Sequence, residues 1–186
     1  MKQDTPIKLY VFDADGTLRR TTVEGLPCPN GPGDWELMPG VRERLAQIEW
    51  GPGGARFGVA TNQGGVGLGY MTYDAARGLV EEMVRQAFGV SVVPAGAIEI
   101  CPHAPHLGCP CRKPKPLMLR RLMRRFRASK DETLYVGDME SDRETARGAG
   151  VRFLLAHEFF GREPPAGSDA TAQTDACDPA PAAQKK

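Results

Sequence analysis

The chain has 186 residues, 41% hydrophobic and 25% charged, with a formal net charge of +1. That is enough for one α/β domain with a sizeable core, and disorder is not the default for such a composition. The near-zero charge neither demands nor excludes a polyanionic partner. Five cysteines are an odd number, and three of them cluster between Cys101 and Cys111. This favours metal binding over a disulfide framework. No apolar stretch approaches the length of a membrane span, and the start of the chain enters the first strand without a signal-peptide core. No membrane partner and a cytoplasmic location are expected.

Residues 7–12, Ile-Lys-Leu-Tyr-Val-Phe, form a short apolar run that predicts a buried parallel strand. Asp13-Ala14-Asp15-Gly16-Thr17-Leu18 follows, with two carboxylates where the strand should end and a Gly that lets the backbone turn. In open α/β sheets ligands bind at the carboxyl ends of strands. Two acids this close repel unless a cation or a shared proton separates them. A divalent metal solves that problem and leaves one acid free to act as a nucleophile. A bare Asp-x-Asp would read as an ordinary surface turn; the whole string after an apolar strand is more specific.

Residues 19–39 are a polar, Gly/Pro-rich loop, too irregular for a folded cap and placed for substrate contact. Cys28 within it reads as incidental. Residues 40–50 carry Val41, Leu45 and Ile48 at helical spacing. A second strand over 56–60 leads into Thr61-Asn62-Gln63 and a run of glycines, a loop able to cradle a phosphate. Such loops are common after strands, so alone this is a weak signal. From Thr72 a helix is announced by an N-cap and an apolar stripe through Ala87.

A third strand over 97–100 ends in Cys101-Pro102-His103, followed after five residues by Cys109-Pro110-Cys111. Three thiols and an imidazole match a closed tetrahedral zinc site, with His103 favoured over His106 as the nitrogen ligand. The loop runs into Arg112-Lys113-Pro114, where a metal knot would hold Lys113 in place. Pro116 opens a helix whose buried face carries Leu119, Leu122, Met123 and Phe126. Its arginines read as a solvated charged face more readily than as a nucleic-acid patch. Residues 133–136 form another apolar strand, ending in Gly137-Asp138-Met139-Glu140-Ser141-Asp142 and supplying a second set of carboxylates. A helix then runs from Ser141 to Gly148 or Gly150, and residues 151–155 read as a final core strand. Residues 1–162 make one domain, and 163–186 a Pro/Ala-rich flexible tail.

In that order, the acid pair, the strand-end Thr, the Lys and Gly-Asp-x-x-x-Asp resemble the four motifs of the haloacid dehalogenase (HAD) superfamily of phosphohydrolases. The zinc loop and Thr61-Asn62-Gln63-x-Gly resemble its capless subgroup of heptose bisphosphate and histidinol-phosphate phosphatases. The resemblance implies a Rossmann-like, mostly parallel sheet flanked by helices, with the first-motif strand near the centre and no large cap domain. It makes Asp13 the nucleophile and Asp15 the acid and base. Mg²⁺ would be held by Asp13, Asp138 and the Asp15 carbonyl. Thr61, Asn62, Arg112 and Lys113 would bind phosphate or substrate oxygens, and Asp142 would support the metal or the lysine. Zn²⁺ would be structural, on Cys101, His103, Cys109 and Cys111. The expected partner is a small phosphorylated metabolite, such as a sugar bisphosphate, acted on by a monomer. Histidinol phosphate, a polynucleotide 3′-phosphate and a non-enzymatic zinc module stand as alternatives. Ala14 departs from the pattern, standing where both named phosphatases usually carry Arg.

Overall fold

The computed structural model describes residues 5–26 and 28–164. Five strands form one parallel sheet in the order β5-β4-β1-β6-β7. They are β1 (Leu9–Phe12), β4 (Arg56–Asn62), β5 (Ile98–Cys101), β6 (Thr133–Gly137) and β7 (Arg152–Leu155). The first-motif strand is therefore central, as the resemblance implied.

Side chains alternate across a strand, and β1 shows the consequence. Leu9 and Val11 enter one apolar layer with Tyr135, Leu119 and Leu122. Phe12, with Tyr10 packed alongside, enters the other. The first layer lies under α4 (Leu117–Phe126) and α5 (Glu140–Ala149); the second lies under α1 (Val41–Leu45), α3 (Tyr73–Phe88) and α6 (Ala156–Phe160). In the second layer Phe12 meets Phe88, Phe159 and Phe160, with ring centroids 5.7, 5.5 and 6.2 Å away. Each such burial contributes roughly 1.5–3 kcal/mol, and here it anchors the strand end that carries Asp13.

Thr72 caps α3 by accepting from the Ala75 N–H at 3.1 Å, as its position predicted. Two expectations need correction, and one element was not expected. Residues 19–39 are not wholly irregular: β2 (Arg19–Thr21) and β3 (Trp35–Leu37) pair antiparallel. β7 is not a core strand but an edge, alternating exposed and half-buried residues. α6 had no sequence signal of its own, being a five-residue turn whose phenylalanines fill the space beside Phe12. No cap domain is present among the described residues. Of the expected 163–186 tail, residues 165–186 lie outside them.

Three of the four arginines of α4 are spent locally. Arg120 donates to the Gly148 carbonyl, Arg125 to that of Ala95, and Arg121 pairs with Glu99. Among the described residues no helix is long and apolar enough to cross a membrane.

Candidate active site

The carboxyl end of β1 is drawn into a tight turn. The Asp13 N–H still donates to Val136 of β6, while the N–H groups of Leu18 and Arg19 both close onto the Ala14 carbonyl. Gly16 sits at φ +83°, and a Cβ there would lie 2.1 Å from an Asp138 carboxylate oxygen. Only glycine permits both the turn and that approach. Asp13 and Asp15 are thereby held almost fully buried.

Asp138 follows β6 and accepts from the Thr17 hydroxyl at 2.9 Å. Asp142 lies one turn on, tucked against Gly137, where a Cβ would come within 2.5 Å of it. Lys113 Nζ reaches both Asp13 Oδ1, at 2.6 Å, and Asp142 Oδ1, at 2.7 Å. The Tyr135 hydroxyl donates to the same Asp142 oxygen at 2.7 Å, and the Met139 N–H to the other at 3.2 Å. Carboxylate oxygens of Asp13, Asp138 and Asp142 come within 4.8 Å of one another.

Three carboxyls face one ammonium, and the titration of the site reflects that imbalance. Burial pushes Asp13 well above the usual carboxylate range, with Asp142 and Asp138 adding to it against the pull of Lys113. Asp138 is pushed up to about 6 by burial and by Asp142. Lys113 is raised despite its burial because Asp13 and Asp142 outweigh desolvation. A divalent cation fits this donor set: hard oxygens in excess of positive charge. Since Asp142 is taken up by Lys113, Tyr135 and Met139, Asp13 and Asp138 are the side chains left to hold it.

Thr61, next to last in β4, is buried, with its hydroxyl accepting from Gln63 Nε2 at 2.9 Å. The same Gln63 nitrogen donates to Asp15 Oδ2 at 2.8 Å. Asn62 grips the Lys113 backbone, accepting from its N–H at 3.1 Å and donating to its carbonyl at 3.4 Å. Its side chain thus places the lysine segment as well as lining the loop. Arg112 is buried beside it and donates to the His103 carbonyl.

Cys101, His103, Cys109 and Cys111 form a second ligand group. Neighbouring ligand atoms lie 3.3 to 3.6 Å apart. A tetrahedral ion with bonds of about 2.3 Å has edges near these lengths, so the group could hold a metal. Burial pushes the Cys101 thiol up to about 12, so its thiolate needs a cation beside it. His106 is not in the group. The four-residue turn α2 (Gly64–Gly67) packs on this loop, and a Cβ on Gly67 would lie 2.3 Å from the Ala104 nitrogen.

All twelve residues singled out in the sequence therefore fall in or beside these two clusters, with Asn62 holding the Lys113 backbone and Arg112 the His103 carbonyl. Sequence reasoning assigned no role to Arg19, Thr17, Gln63 or Tyr135. The latter three touch the acids or Thr61, but a hydroxyl or amide inside a strand or turn carries no pattern of its own. A buried Arg19 reads from sequence as a solvated charge.

Residues 110–175 match the HAD-hydrolase-like family profile. The D-glycero-β-D-manno-heptose-1,7-bisphosphate 7-phosphatase of Pseudomonas putida is 32% identical over 152 residues, 80% of this chain and 82% of that protein. The histidine biosynthesis bifunctional protein of Legionella pneumophila is also 32% identical, over 79% of this chain but only 40% of that protein. The crystal structure of D,D-heptose 1,7-bisphosphate phosphatase from B. bronchiseptica, complexed with magnesium and phosphate, superposes with a TM-score of 0.64. It is 27% identical, covering 91% of this chain and 95% of that one. The chain belongs to the HAD-like phosphatase family.

Proposed function

We propose that the protein is a Mg²⁺-dependent phosphomonoesterase acting through an aspartyl-phosphate. Its substrate is a small sugar bisphosphate such as D-glycero-D-manno-heptose 1,7-bisphosphate, hydrolysed by a cytoplasmic monomer. The observation that carries the reading is the convergence of Asp13, Asp15, Thr61, Lys113 and Asp138 at the carboxyl ends of three adjacent strands. The identity of the relatives supports the substrate class.

Asp13 attacks phosphorus while Lys113 and the Thr61 hydroxyl hold the phosphoryl oxygens. Asp15 gives a proton to the leaving oxygen, then takes one from the water that releases phosphate. Asp142, held by Tyr135, keeps Lys113 aimed at Asp13. Bound between Asp13, Asp138 and the Asp15 carbonyl, Mg²⁺ would offset charge on the transferring phosphoryl group. The four ligands around Cys101 suit Zn²⁺ with no open position, and Zn²⁺ there would fix the loop that presents Arg112 and Lys113. The local partners of three of the four α4 arginines weigh against a polynucleotide substrate.

The test is phosphate release from a panel of sugar phosphates, histidinol phosphate and 3′-phosphorylated oligonucleotides, with and without Mg²⁺. Asp13→Asn should lower kcat/KM on the best substrate by at least about 10⁴-fold. Near-full Mg²⁺-dependent activity in that variant would remove Asp13 as the nucleophile.

A further inference from the structure

Arg19 heads the fully buried side chains by volume. Its Nε donates to Asp15 Oδ1 at 2.7 Å and one amino nitrogen donates to Oδ2 at 3.3 Å, a fork on one carboxylate. Gln63 holds Oδ2 from another direction at 2.8 Å. The Arg19 main chain is tied to the same turn: its N–H donates to the Ala14 carbonyl and its carbonyl accepts from Gly16. Trp35 lies 5.9 Å from the guanidinium carbon.

Stability alone is a poor reason for this arrangement. A buried ion pair is often no better than an apolar pair of the same shape. This one is also incomplete, since Arg19 Nη1 is buried without a hydrogen-bond partner. What the pair does achieve is a fixed orientation of one carboxylate, which Gln63 ties to the Thr61 hydroxyl.

We propose that Arg19 is a positioning residue for proton transfer: with Gln63, it fixes the Asp15 carboxyl so that it faces the oxygen departing from phosphorus. The proposal rests on the phosphatase reading above. In the first step the Asp13 oxygen bonds to phosphorus as the bond to the leaving group breaks, and Asp15 passes its proton to that leaving oxygen. In the second, Asp15 takes a proton from water, whose oxygen bonds to phosphorus as the Asp13–phosphorus bond breaks. Loosening Asp15 harms the first step in proportion to how much the leaving group needs that proton.

Leaving groups provide the test. An alkoxide needs the proton, whereas p-nitrophenolate departs without it, and kcat/KM reports events up to the aspartyl-phosphate. With the full chain and Mg²⁺, Arg19→Met should lower kcat/KM for a primary alkyl phosphate by about 10²-fold or more, but that for p-nitrophenyl phosphate less than about fivefold. Arg19→Lys keeps the charge without the fork and should recover part of the alkyl loss, about tenfold. Arg19→Lys also retains a buried cation beside Asp15, so it should show the same selective loss on a smaller scale and the test survives if Arg19→Met does not fold. Parallel losses on both substrates, or an unchanged alkyl kcat/KM in folded variants, would overturn the positioning role and leave the phosphatase reading standing. A wild-type protein inactive on both substrates and on every phosphate of the panel above would overturn the phosphatase reading, and this proposal with it.

Discussion

Lys113 stands between two ligand clusters that differ in completeness. On one side Asp13, Asp138 and Asp142 converge with more negative charge than Lys113 can offset. Their oxygens are unevenly committed: Asp142 is occupied by protein donors, whereas Asp13 and Asp138 keep capacity for a cation and a substrate. On the other side Cys101, His103, Cys109 and Cys111 could give a metal ion four ligands, a set that needs nothing further. An incomplete shell suits chemistry and a complete one suits support. Lys113, two residues beyond Cys111 in the chain yet bonded to Asp13, is where support reaches the chemistry.

The largest expected effect that tests this contrast comes from the supporting side. Cys109→Ser should empty the thiol cluster and lower kcat/KM by up to about 10²-fold, because a shift of about 1 Å in Lys113 is enough. The Mg²⁺ requirement should persist. Metal analysis beside kinetics decides it: a metal-free variant with full activity would break the link between the clusters.

A middle-sized effect sharpens the acid side. Asp138 is raised to about 6, chiefly by burial, so protons compete with Mg²⁺ below that pH. Apparent Mg²⁺ affinity should fall by at least about tenfold per unit below pH 6, since Asp13, also raised by burial, must give up its own proton to the ion. Because the folded state holds the Asp138 proton more tightly than the unfolded one, Asp138 makes the metal-free protein less stable as pH rises from about 4 to about 6. Added Mg²⁺ should reverse that loss. Calorimetric titration across the range would show it, and an affinity flat with pH would count against Asp138 as a ligand.

Tyr135→Phe should have the smallest effect. It removes one donor to Asp142 and leaves Lys113 in place. A loss of about 2 kcal/mol, or about 4–8 °C in Tm, is expected, with only a few-fold change in kcat. A fall in kcat as large as that for Cys109→Ser would mean that Tyr135 does more than steady Asp142.

The acid site was readable where its residues sit at the ends of apolar runs. Asp13, Thr61 and Asp138 each follow a strand whose pattern is visible, and the thiols announce themselves by density. The strands β2 and β3 were hidden because each is only three residues long, and β2, Arg19-Arg20-Thr21, carries no apolar residue at all. β7 was misread for the opposite reason: Phe153, Leu154 and Leu155 are apolar, yet the strand is an edge and Leu154 is exposed. Arg19 escaped because its burial is decided by Asp15 and Trp35, one across a turn and one across a hairpin. Nothing local distinguishes it from Arg20, its exposed neighbour.

The contact of Gly67 with Ala104 bears on how such a protein can be altered. The loop after β4 and the loop after β5 interlock backbone to backbone, so neither is a detachable part. A metal loop of different length grafted between residues 101 and 111 would press on α2 and, through it, on Thr61 and Gln63. Swapping loops between relatives to change substrate range should therefore succeed only when the two segments travel together, as one hereditary unit rather than two.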